Sequence, residues 1–110
     1  MKRFKKFIHD GVVISNTNKI NEILASHYTW FTYCEFEEAD VEIKNNTIIW
    51  KNGKFYKGVI KFIIWQDGIF FNGTWENGIW EKGTWENGKW VSGIWLSGTV
   101  VNGENPNKNI

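Results

Sequence analysis

From residue 50 to residue 100 every fifth position is large and apolar. Trp50, Phe55, Ile60, Trp65, Phe70, Trp75, Trp80, Trp85, Trp90, Trp95 and Val100 form one unbroken register. From Phe55 onward a small position lies two residues ahead of the large one. It is Gly53, Gly58, Gly68, Gly73, Gly78, Gly83, Gly88, Gly93 and Gly98, continued by Gly103, and only Ile63 breaks the column. The unit reads Gly-x-Trp-x-Asn, as in Gly73-Thr74-Trp75-Glu76-Asn77. A period of five is neither helical nor that of a continuous strand, so every unit needs a corner. A short strand and a two-position turn supply it, and Asn-Gly is well suited to turning. A flat meander of such units would expose a ladder of indoles. A solenoid buries every fifth side chain and pairs each coil with the next, and is the architecture expected.

Residues 1–33 follow another pattern. Phe4, Phe7, Ile8, Val12, Val13 and Ile14 predict a strand or extended arm. Asn16 or Asn18 caps a short helix reaching about His27, with Ile20, Ile23 and Leu24 on one face. Tyr28, Trp30 and Phe31 lead this cap onto the first coil.

Upstream of the tryptophan register stand Cys34-Glu35-Phe36-Glu37-Glu38 and Ala39-Asp40-Val41-Glu42-Ile43. These two stretches resemble units of the pentapeptide-repeat family, whose pattern is a small residue, often Asp or Asn, then Leu or Phe, then two variable residues. The resemblance covers residues 34–103. It implies an all-β fold, a right-handed quadrilateral β-helix of about three coils. Beneath it lies a small N-terminal cap (1–33) containing a short helix, and after it a flexible polar tail at 104–110. The inward large residues implied are Phe36, Val41 and the register from Trp50 to Val100. The inward small ones are Cys34, Ala39 and the glycines from Gly53 to Gly98. Trp here replaces Leu and Gly replaces Ala, an exchange that roughly conserves core volume.

Four sides make one coil, so position i is expected to stack beneath i+20. Val41 and Trp50 are nine apart rather than ten, so one side near 44–47 is one position short and stacking across it is i+19. That offset sets Glu35 beneath Lys54, Glu38 beneath Lys57 and Glu42 beneath Lys61, and Lys61 then meets Glu81. The expected core columns are Phe36–Phe55–Trp75–Trp95, Val41–Ile60–Trp80–Val100, Trp50–Phe70–Trp90 and Trp65–Trp85.

Composition fits this picture. The chain of 110 residues holds 8 Trp and 11 Gly, and its single Cys excludes an internal disulfide. Abundant Lys, Asn and Ile are the usage of an AT-rich genome, such as that of a bacterium or phage. Net charge is +1, which marks neither a nucleic-acid binder nor an acidic mimic of one. Locally, residues 1–33 carry +3, residues 34–47 carry −4 and the remainder +2. No stretch reaches the ~20 apolar residues of a membrane span. His9 and Asp10 interrupt any signal-peptide core, so a cytoplasmic protein, or one in a host's cytoplasm, is expected.

Candidate chemistry is sparse. His9 and His27 are too few and too far apart for a zinc site. Cys34 occupies an inward slot, so an inert thiol is expected. Glu35, Glu37, Glu38, Asp40 and Glu42 could work as acid–base pairs, but the lysine ladder accounts for them more simply. The pattern predicts no catalytic residue, cofactor, metal or small-molecule substrate. The expected role is a non-catalytic interaction or assembly module, self-associating or docking a protein through an open C-terminal coil. Two alternatives are a DNA-mimicking, topoisomerase-protecting protein, which the resemblance implies, and a carbohydrate- or nucleic-acid-binding module with outward Trp rows.

Overall fold

A computed structural model describes residues 2–102. Gly103 and the polar stretch 104–110 lie outside the described residues. The chain opens with strand β1 (Lys2–His9), which turns at Asp10 and Gly11 into the short β2 (Val12–Val13). Helix α1 (Thr17–His27) follows, capped by Asn16, whose Oδ1 accepts from the Lys19 N–H at 3.0 Å. Its buried face is Ile20, Ile23 and Leu24. One further turn, α2 (Thr29–Thr32), carries Phe31 into the core.

Two long strands come next, β3 (Glu35–Lys44) and β4 (Thr47–Lys57). They are antiparallel, with Val41 opposite Trp50 and Ile43 opposite Ile48. The turn between them is Asn45-Asn46, both with positive φ, 52° and 59°. That is the tight turn whose twist matches a hairpin, and Asn tolerates the left-handed region. β1 lies parallel to β3 on its other side. The nine-position step from Val41 to Trp50 therefore marks a hairpin, and not a shortened side of a coil. Residues 34–46 form no coil of their own, and coiling begins in β4.

Beyond β4 the chain makes very short strands, one in every five-position unit. They are β5 (Val59–Ile60), β6 (Ile64–Trp65), β7 (Ile69–Phe70), β8 (Thr74–Trp75), β9 (Ile79–Trp80), β10 (Thr84–Trp85), β11 (Lys89–Trp90), β12 (Ile94–Trp95) and β13 (Thr99–Val100). They stack in parallel as a β-solenoid of about three turns, the architecture expected, above a cap that contains the expected short helix. Trp50 pairs with Trp65, Trp65 with Trp80 and Trp80 with Trp95. Each step runs from i to i+15. The coil therefore has three sides of one unit each, which corrects the expectation of four sides and an i+20 spacing.

The core columns are accordingly Trp50–Trp65–Trp80–Trp95, Phe55–Phe70–Trp85–Val100 and Ile60–Trp75–Trp90. The four columns expected at i+20 do not form. Within a column the rings lie nearly parallel, with Trp50 and Trp65 centroids 4.8 Å apart at 7° and Trp80 and Trp95 4.9 Å apart at 8°. Between columns the rings meet edge to face, as Trp80 meets Trp85 at 5.8 Å and 73°. Three indole-sized groups fill a triangular section by this alternation of stacked and edge contacts, both favourable for aromatic rings.

Candidate functional site: the two ends of the solenoid

The glycine corners make the tight coil possible. Gly83 has φ +124°, and a Cβ placed on it would lie 2.5 Å from the Gly68 carbonyl oxygen and 3.1 Å from Nε1 of Trp65. A side chain there would meet both the backbone one turn below and the edge of an indole. Asx side chains reinforce several corners: Asn52, Asp67, Asn72 and Asn77 each accept from the N–H of the following glycine at 2.8 Å. The corner columns rest on the hairpin. Gly53 sits over Ala39, and Gly58 sits over Cys34. The exception in the glycine column, Ile63, is fully buried, and its carbonyl accepts from the Ile79 N–H.

All the large inward positions from Trp50 to Trp95 are at most 4 % exposed, and Phe36 and Val41 are fully buried, while Val100 on the last turn is half-buried. No tryptophan row faces outward, so the expectation of exposed Trp rows as a sugar or base platform is corrected. Position 50 and its successors point into a closed section, and their surfaces are not available to a ligand.

The charge ladder exists with altered partners. Glu35 pairs with Lys57 at 3.0 Å, Glu38 with Lys54 at 3.2 Å and Glu42 with Lys51 at 3.0 Å. The expected assignments, Glu35–Lys54, Glu38–Lys57 and Glu42–Lys61, assumed parallel stacking. Antiparallel strands reverse the order, so partner numbers fall on one side as they rise on the other. Lys61 and Glu81 form no ion pair with each other among the described residues, because stacked positions are not at i+20. One contact at the true spacing is Asp67 to Lys82, at 3.6 Å. The Lys57 ammonium holds the Glu35 carboxyl below its ordinary range.

Cys34 is buried, with Sγ 3.6 Å from the Val59 carbonyl oxygen and 3.8 Å from that of Trp30. Burial pushes its thiol up to about 12, which keeps it protonated. A reactive thiol requires the opposite shift. His9 stands beside Asp10 at 3.5 Å, whereas His27 packs edge-on against Tyr28. Among the described residues no group of three or more His, Cys, Asp or Glu side chains could hold a metal. A cleft of about 370 Å³ between β1 and α1 is lined by Lys2, Arg3, Phe4, Ser15, Thr17, Ile20 and Asn21, without a carboxylate, histidine or thiol to pair as acid and base. No described helix is long and apolar enough to cross a membrane.

The two ends of the core differ. At the N-terminal end Phe31 stacks on Phe36 at 5.0 Å and meets Trp50 edge-on at 6.4 Å. Phe4, Phe7, Leu24 and Tyr28 belong to the same cluster, so the cap closes that end. At the other end β12 and β13 pair only with the turn below, among the described residues. Ile94 and Leu96 donate their N–H groups down to Gly78 and Trp80, and Thr99 and Val101 donate down to Gly83 and Trp85. Successive amides along a strand point to opposite edges, so the N–H groups of Trp95 and Val100 point away from the stack.

The surface of this last turn is also distinct. In the slot after each core residue, the turn below carries Glu76, Glu81 and Glu86. The last turn carries Val91, Leu96 and Val101 in those slots, 49 %, 63 % and 58 % exposed, beside Ile94 at 54 %. The repeat pattern alone points to an open end but not to this apolar collar. Three sides per turn bring the two sets of slots into line, an alignment that an i+20 spacing hides. No family model, curated protein or solved structure matches the chain.

Proposed function

We propose that the chain is a non-catalytic assembly module that docks a protein surface on the C-terminal end of its solenoid. The observation that supports this reading most is the combination of outward-pointing strand edges on β12 and β13 with an exposed apolar collar around them. An uncovered strand edge is a template for pairing, and a clustered apolar rim gains by being removed from water. The N-terminal end closes the core and leaves one free edge, the two-residue β2 with its exposed Val12 and Val13. The topoisomerase-protecting alternative needs a long acidic surface, whereas Glu35, Glu38 and Glu42 of β3 are held in lysine pairs and the acidic slots Glu76, Glu81 and Glu86 span a single turn.

A photo-crosslinking residue placed at Leu96 tests this reading, with the same probe at Glu22 on exposed α1 as control. In cells expressing the protein, position 96 is expected to give discrete adducts with a polypeptide and position 22 none. Equal labelling at both positions, or none at either, would overturn the reading.

A further inference from the structure

Docking at the C-terminal end leaves its occupant open, and the surface narrows the choice. Resting on that reading, we propose that the occupant is a second copy of this chain, set end to end about a two-fold axis. Three observations converge on it.

The first is charge. Between residues 88 and 102 the only ionisable side chain is Lys89, whereas residues 73–87 carry Glu76, Glu81, Lys82 and Glu86. A two-fold interface places like against like. An acidic ring there would set glutamate against glutamate, and that ring is absent from the one turn that would meet its copy. Val91, Leu96 and Val101 replace it, and an apolar collar is complementary to itself.

The second is the backbone. At Trp80, one turn below Trp95, the carbonyl accepts from the Leu96 N–H. Trp95 holds the same place in the last turn, with both its N–H and its C=O directed to the open edge. Two copies of β12 brought together in opposite directions can exchange both bonds at this residue, the arrangement of a hydrogen-bonded antiparallel pair. Their strand edges have the same length and shape by identity.

The third is closure. The core at the N-terminal end is covered by Phe31, the hairpin and the helices, and the strand edge left there is the two-residue β2, so the open core of one copy has no second open core to stack upon. Association therefore stops at two copies and does not run on into a fibre. A single coil supplies the contact, fewer positions than the roughly 20–30 residues a side of a standard interface, the size class of weak and transient contacts.

Sedimentation of the purified full chain tests the inference, from about 1 to 300 μM. The double variant Leu96→Glu, Val101→Glu restores the outward pattern of the turn beneath and changes exposed slots only. Wild type is expected to shift from monomer to dimer mass with concentration. The variant is expected to weaken association at least tenfold while keeping the wild-type melting temperature and circular dichroism. A wild-type monomer throughout, species growing beyond the dimer, or a variant that dimerises like wild type would each overturn the second-copy inference. Should the variant lose its fold, Leu96→Lys and Val101→Lys made singly carry the same expectation. A monomeric purified chain that still crosslinks at position 96 in cells would remove the second copy and leave the docking reading standing. Loss of both signals removes both.

Discussion

For single residues, the fold rests on what glycine omits and tryptophan fills. Gly83 and Gly11 separate two reasons for needing glycine. Both have positive φ, but a Cβ on Gly11 would meet nothing within 4 Å, whereas one on Gly83 would strike the Gly68 carbonyl. Gly11→Ala is expected to cost about 1–2 kcal/mol, the strain of the left-handed backbone alone. Gly83→Ala is expected to cost about 2–4 kcal/mol because strain and collision add. Urea unfolding of the two variants measures the difference, and equal costs would deny the close stacking of corners.

The indoles carry a cost of their own. Nε1 of Trp50, Trp65, Trp75, Trp80 and Trp85 is buried without an acceptor. Since Phe55 and Phe70 occupy the same column as Trp85, Trp85→Phe removes an orphaned donor in a site shaped for a ring. Its expected cost is about 1 kcal/mol, against about 3–5 kcal/mol for Trp85→Ala, read from the same unfolding curves. Cys34 supplies a pH signature. With its thiol raised to about 12 in the fold from an ordinary value of 9.0, the unfolded chain ionises first as pH rises. The unfolded state then binds fewer protons than the native state, so stability falls by about 1.4 kcal/mol per pH unit above pH 9. The contribution is fully present below pH 9 and disappears toward pH 12. Cys34→Ala is expected to flatten the slope of stability between pH 9 and 10, where Tyr28 and Tyr56, themselves raised, add a smaller slope of the same sign as the unfolded tyrosines begin to ionise.

Among the elements, the hairpin sets where coiling starts and how the first charges meet. The Glu42–Lys51 pair reports its register. A double-mutant cycle on that pair is expected to show a coupling of about 0.2–1 kcal/mol, whereas a cycle between Glu42 and Lys61 shows none. The five-position unit, its inward Trp and Gly, the cap helix starting at Asn16 or Asn18 and the buried Cys34 were all legible in the sequence, because each shows as a local period or a local cap. The number of sides was not. A column in which every fifth residue is large looks the same at i+15 and at i+20. The informative residues lay on the outside, where Ile49, Ile64, Ile79 and Ile94 recur at i+15. The hairpin was missed because β3 alternates with the same small-and-large rhythm as a pair of five-position units. Asn45-Asn46, which looks like spacing, is a turn with its own backbone demand.

For the molecule as a whole, asymmetry between the ends carries the proposed function. One end is sealed by an apolar cluster drawn from β1, α1, α2 and β3, and the other, among the described residues, presents strand edges inside an apolar rim. The open end follows from the repeat count, but its collar needs the true coil length. If association takes place on this end, it must protect the outward amides of Trp95 and Val100. Their exchange with solvent can be followed by NMR as protein concentration rises from low to high micromolar. Both amides are expected to slow with concentration while the interior Trp80 amide stays unchanged. Exchange at Trp95 and Val100 that is independent of concentration would contradict association through the open coil.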